Sequence, residues 1–223
     1  MGGRLFFCLL PSAFCFLLSA FCLRLLLSAF IRANLRLISL LPFTIHDSRF
    51  TIHPMKLTEF LLAELDREVE RSRYALEQVP EGKYDWKPHE KSMILGYLAN
   101  MVATIPMWIT MQINQHELDV APADGGKFEQ KRIDTSTELV EAIDKAAAGA
   151  RSAFEKTNDE HLKTNWRLLA RGNVVMEAPR YQMIQDTINH WAHHRGQMTV
   201  YLRLLGAKVP ALYGPSADDN QFR

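Results

Sequence analysis

The chain has 223 residues, with 26 Lys and Arg against 25 Asp and Glu, and its three cysteines all lie before residue 55. Residues 55–223 contain no cysteine, which excludes disulfide bonds and thiol catalysis within them. The first 54 residues hold five Arg and one Asp, which leaves 21 basic and 24 acidic residues beyond them, and a net charge of about −3 argues against binding to nucleic acid or anionic lipid.

Residues 1–54 form an atypical N-terminal extension that is apolar and repetitive. Residues 5–23 carry no charge, Ser-Ala-Phe occurs three times, and Phe-Thr-Ile-His occurs twice. A signal peptide, a hydrophobic anchor and translation from upstream of a true start at Met55 all compete as explanations. The near-verbatim repeats favour upstream translation. We therefore expect a cytoplasmic protein, which would contact a membrane only if residues 1–54 are part of the native protein. An anchor would also leave the domain on the cytoplasmic side, because Arg24, Arg32 and Arg36 follow the apolar run.

The domain from residue 55 to 223 shows the apolar period of helices along most of its length. Pro106 interrupts the second helix without ending its pattern, which predicts a kink. A polar connection with Gly125 and Gly126 precedes the third helix, and residues 165–178 have the composition of an extended hairpin or irregular crossover. The predicted helices cover residues 57–79, 92–114, 136–156 and 180–205. Four long helices with one long crossover predict an all-α fold, an antiparallel four-helix bundle.

Histidines in the last helix are the clearest chemical signal. His190 and His194 are spaced i, i+4, so both imidazoles lie on one helix face and could hold a single divalent cation. His193 is rotated by about 100° from His194 and should point elsewhere. A catalytic metal site needs a third protein ligand, which this helix does not obviously supply.

Several strings resemble the DinB (damage-inducible) family. Residues 190–206 read His-Trp-Ala-His-His-Arg-Gly-Gln-Met-Thr-Val-Tyr-Leu-Arg-Leu-Leu-Gly, and residues 209–218 read Val-Pro-Ala-Leu-Tyr-Gly-Pro-Ser-Ala-Asp. Residues 86–108 and 166–180 are similar to the family's second helix and to its segment before the last helix. The resemblance implies a four-helix bundle, often a homodimer, with Zn or Ni held by three histidines.

Met101 is the departure from that family pattern. The resemblance places two ligands at His190 and His194 and the third in a frame Leu-Gly-x-Leu-Ala-x-His-Val, where this chain has Met101. A thioether is a soft, neutral ligand that suits Cu(I) better than Zn(II). Asp186, four residues before His190, is a candidate to orient that ring or to complete the site.

Other polar residues near these positions complete the candidate set. Asn100 and His116 are further candidate ligands, and Asn100 could also position a substrate. Arg195 could hold an anionic substrate or pair with an acidic residue of a neighbouring helix. His193 is expected to form structural hydrogen bonds.

Two functional hypotheses follow. Members of the family resemble metal-dependent thiol S-transferases and metal hydrolases, so the first is an enzyme acting on a small-molecule substrate or a low-molecular-weight thiol. The second is a catalytically degenerate, non-enzymatic bundle that binds a small ligand where the metal would sit, with Met101, Trp108 and Met111 lining the pocket.

Overall fold

A computed structural model describes residues 55–123 and 132–221. The interpretations of residues 1–54 and of the connection at Gly125 and Gly126 concern positions outside the described residues, so they stay predictions. No helix in the described part of the chain is both long and apolar enough to cross a membrane.

The helical prediction is largely confirmed. The bounds of the third and last long helices agree with the predicted ones to within a residue, because their apolar positions recur over the whole span. The first helix ends three residues early, and the predicted second helix begins at Leu95 and is divided at Ile105. The helices are α1 (Leu57–Leu76), α2 (Leu95–Thr104), α3 (Pro106–Asn114), α4 (Ser136–Lys156), α5 (Asp159–Leu162) and α6 (Arg180–Leu204).

Pro106 causes the division between α2 and α3. In an unbroken helix the N–H of residue 106 would bond to the carbonyl of Val102, but proline has no N–H. The indole Nε1 of Trp191 in α6 donates to that carbonyl instead, at 2.7 Å. Both residues are fully buried, so this bond satisfies a carbonyl that would otherwise have no partner in the core and holds α2 against α6.

The core lies where α4 and α6 meet the other helices. Each of these two helices packs against α1, α2 and α3. Small side chains on α4, such as Ala147 and Ala150, are fully buried and permit close approach. At the N-terminus of α1, the Asp159 carboxylate accepts from the backbone N–H groups of Leu57 and Thr58, at 2.9 and 3.1 Å. Those two N–H groups have no partner within α1, so Asp159 caps the helix from a distant part of the chain.

A three-stranded sheet corrects the all-α prediction. Strands β1 (Glu117–Asp119), β2 (Asn165–Ala170) and β3 (Asn173–Pro179) lie in that order, with β1 parallel to β2 and β2 antiparallel to β3. The hairpin between β2 and β3 agrees with the expectation for residues 165–178, and it turns at Arg171 and Gly172, both with positive φ. The three residues of β1 are too few for a strand signal, and they pair with a partner 50 positions away, Glu117 opposite Arg167.

Candidate active site at the His190–His194 pair

A cleft of about 1140 Å³ opens beside α2, α3 and α6. Its lining is mainly apolar and aromatic, and part of it comes from the sheet. Lining residues include Tyr97, Met101, Trp108, Met111, Trp166 and Met183. Asn100 of α2 and both Asp186 and His190 of α6 also line it, so three of the predicted site residues share this space with Met101.

His190 and His194 converge as their spacing predicts. Their Nε2 atoms lie 3.1 Å apart, and the rings meet edge to face with centroids 4.3 Å apart. His190 reaches the cleft and stacks on Trp108, whereas His194 is buried behind it. Nδ1 of His194 lies 3.0 Å from Oε1 of Gln197. As that amide is oriented its oxygen accepts, so His194 carries its proton on Nδ1 and presents a lone pair at Nε2.

The environment keeps both rings neutral. Desolvation by burial lowers the pKa of His190 below its ordinary 6.5, and the neighbouring His194 and His193 lower it further. Desolvation likewise lowers the pKa of His194, and the bond to Gln197 opposes this only in part. Near pH 7 the two imidazoles are therefore uncharged, which is the form that binds a metal or accepts a proton.

The spacing of the two nitrogens suits a shared ion. With Zn–N distances of about 2.0–2.1 Å, two ligands of a tetrahedral ion lie about 3.3 Å apart and adjacent ligands of an octahedral ion about 2.9 Å apart. The observed 3.1 Å falls between these values. Without an ion the same contact is a hydrogen bond, in which Nε2–H of His190 donates to the His194 lone pair.

A complete Zn or Ni site of the usual kind does not fit the residues present. Within the described ranges, no three His, Cys, Asp or Glu residues are grouped so that they could hold one ion. Asp186 lines the cleft but makes no hydrogen bond to His190. Asn100 is buried in the cleft wall, and His116 is exposed and does not line the cleft. The third position is left to the half-buried Met101.

Arg195 lies apart from the histidine pair, in a group that also contains Glu68, Arg71 and Tyr213. Its guanidinium is fully buried and donates to the Glu68 carboxylate, to Ser72 Oγ and to the Tyr213 hydroxyl. That hydroxyl donates to Glu68 in turn, at 2.8 Å. These contacts are those of a buried ion pair that fastens the C-terminal tail, which is the second of the two roles expected for Arg195.

His193 is exposed, and its ring packs edge-on against His194 with centroids 5.2 Å apart, so it points away from the cleft. Sequence reasoning missed Gln197, although its position three residues after His194 places it beside that ring on the helix. Trp108, which the second functional hypothesis places in the lining of a ligand pocket, lies in the wall of the cleft. No pattern in the sequence marks Trp191 as the donor to α2.

A sequence model of the DinB family matches residues 55–221, which is most of the chain. The chain belongs to the DinB family. Residues that distinguish it from a generic helical protein, including the histidine pair, fall inside the matched range.

Individual DinB-family relatives are similar at different levels. The uncharacterized protein YrdA of Bacillus subtilis is 40% identical over 62 residues, a segment that spans 26% of this chain and 37% of YrdA. A DinB-like protein from Bacillus cereus has a solved structure with a TM-score of 0.56 and 23% identity, covering 70% of this chain and 97% of that one. A second DinB-like structure, from Bacillus subtilis, gives a TM-score of 0.50 at 18% identity, over 72% and 99% of the two chains. At these identities the solved structures establish a shared fold, mainly helical with a small sheet.

Proposed function

We propose that this DinB-family protein binds a small, mainly apolar molecule in the cleft, with the His190–His194 pair as the reactive end of the site. The observation that carries the proposal is that His190, one member of the neutral histidine pair, lines a large cleft whose walls are mainly apolar. Small-molecule sites combine apolar walls with a few convergent polar groups in this way, and the 1140 Å³ of this cleft lies just above their usual range of about 300 to 1,000 Å³.

The pair's own chemistry is proton transfer. Nε2–H of His190 donates a hydrogen bond to the lone pair on His194 Nε2, while Gln197 fixes the orientation of His194. A neutral imidazole can take up a proton from a thiol, hydroxyl or water bound in the cleft, here at the Nδ1 lone pair of His190, and burial lowers the pKa of both rings so that they are in this neutral form near pH 7.

The family resemblance implies a more specific activity at this site, that of a metal-dependent thiol S-transferase or hydrolase. It calls for Zn or Ni at His190 and His194, and enzymes that use Zn in this way have three protein ligands. The described residues supply two such donors. A non-enzymatic, ligand-binding protein is the second candidate, and Met101 in the third position favours it.

Further proposals concern the assembly and setting of the protein. We propose that the four long helical segments form an antiparallel bundle, which is supported by the packing of α4 and α6 against the others. We also propose a cytoplasmic homodimer that acts on a small molecule or a low-molecular-weight thiol. Sedimentation velocity tests the dimer directly.

Binding of a neutral fluorescent probe, N-phenyl-1-naphthylamine, tests the cleft. We expect saturable binding by the full chain and its loss in Met111→Lys, which places a charge against the apolar wall. The matched control is Met107→Lys, the same change on α3 at an exposed residue that does not line the cleft. Equal binding by both variants, or no saturable binding by the parent, would refute the proposal.

A further inference from the structure

We infer that Met101 supplies the third donor to the His190–His194 pair, and that this site prefers Cu(I) over Zn(II) and Ni(II). The inference rests on the proposed role of the histidine pair as the reactive end of the cleft. It adds a metal preference that differs from the one implied by the family resemblance.

The Trp191–Val102 hydrogen bond sets the position of Met101 relative to His190. Met101 comes directly before Val102, and His190 comes directly before Trp191, the two partners of that 2.7 Å bond. Met101 and His190 therefore extend from adjoining turns of two packed helices. Both side chains line the same cleft. Packed helix axes lie about 8–10 Å apart, and a methionine has enough length and freedom to bring its sulfur across such a gap.

Asp186 is a poorer candidate for the third position. It lies on the same helix as the pair, and Asp186, His190 and His194 together span about 12 Å along the axis at 1.5 Å per residue. One ion cannot easily meet three donors spread so far along a straight helix. Met101 approaches from a facing helix, as ligands do in metal sites built in helical bundles.

The donor set favours a soft, monovalent ion. Imidazole binds Zn, Ni and Cu alike, but a thioether selects Cu(I). All three donors are neutral, and the site is partly buried because His194 has little exposed surface. The desolvation cost of an ion grows with the square of its charge, so a divalent ion would cost about four times as much as Cu(I) in the same uncharged ligand set.

Anaerobic competition titrations of the full chain measure this preference, with bicinchoninate as the competitor for Cu(I) and a chromophoric chelator for Zn(II). We expect one equivalent of tightly bound Cu(I). Met101→Leu should weaken Cu(I) binding by at least the roughly 10- to 100-fold that loss of an outer-shell partner costs. Met111→Leu, the same change in the same cleft, should leave it unaltered. Leu for Met is a nearly volume-conserving exchange, so both variants should fold.

X-ray absorption at the copper edge and the variant Met101→His make the test sharper. We expect a sulfur scatterer that disappears in Met101→Leu, and a gain in Zn(II) affinity of at least about tenfold in Met101→His. Absence of sulfur, an unchanged Cu(I) affinity in Met101→Leu, or an equal loss in Met111→Leu would overturn the inference. If probe binding persists while Cu(I) binding fails, only this inference falls. If the parent binds Cu(I) but not the probe, the cleft proposal falls instead.

Discussion

The bond between Trp191 and the Val102 carbonyl gives the most quantitative prediction. If Pro106 creates the need for this bond, then removing the indole donor with Trp191→Phe should cost less stability when residue 106 regains an N–H. We therefore expect Trp191→Phe and Pro106→Ala to be coupled in a double-mutant cycle.

The size of the coupling follows from burial. Donor and acceptor residues are fully buried, so water cannot replace the lost bond. Leaving a buried acceptor unsatisfied costs about 1–3 kcal/mol. The smaller volume of phenylalanine and the altered chain entropy at residue 106 enter both sides of the cycle and cancel. The coupling energy should therefore be about 1–3 kcal/mol, because the backbone N–H that Pro106→Ala restores can donate to the carbonyl that the indole no longer reaches.

Urea unfolding followed by far-ultraviolet circular dichroism is the assay, since it does not depend on tryptophan fluorescence. With a slope of about 1–3 kcal/mol per molar urea, the coupling should appear as a difference of about 1 M between midpoint shifts. Trp166→Phe is the matched control, because Trp166 is buried and its Nε1 has no partner among the described residues. A Trp191 coupling below about 0.5 kcal/mol, or an equal one at Trp166, would contradict the role assigned to Pro106.

Three further changes test other contacts. Glu68→Gln should destabilise the fold by about 3–5 kcal/mol in denaturant unfolding, because it leaves a buried guanidinium without its counter-ion. Burial alone would raise the pKa of Glu68, but the Arg195 charge and hydrogen bonds lower it below 4.5, so the difference between parent and variant should persist above pH 4.5 and shrink as the pH falls below it. Asp159→Ala should speed amide exchange at Thr58, whose N–H it caps, while exchange in the middle of α1 stays slow. Gly96→Ala places a methyl group 3.0 Å from the Tyr84 side chain and should lower the unfolding midpoint by overpacking that contact, whereas an unchanged midpoint would mean that the loop can move away.

Features of the site that depend on one helix could be predicted from the sequence. The i, i+4 spacing of His190 and His194 fixes which face both rings occupy, and the structure places their nitrogens 3.1 Å apart. The kink at Pro106 is also a local property, since it follows from the missing N–H. The family resemblance pointed to Met101 as the third ligand position, because that resemblance rests on the order of residues along the chain.

Features that depend on distant partners could not be predicted. The partner of Arg195 is Glu68, 127 residues earlier, and nothing in either local pattern selects it from the other acidic residues. Strand β1 is similar, because three residues with little apolar character form a strand only when the β2 edge is already in place. Asp186 lies one turn from His190, as its spacing requires, but a shared helix face does not by itself create a hydrogen bond.

The contact of Tyr213 with Glu68 has a consequence for how the chain is made. These residues are 145 positions apart, and at about 5–20 residues per second a ribosome needs roughly 7–30 s to pass from one to the other. During that interval the carboxylate on α1 lacks both the tail hydroxyl and, for most of it, the guanidinium of α6. The first helix therefore reaches its final environment only after Tyr213 has been made, and any segment joined beyond Tyr213 must leave that side chain free to dock.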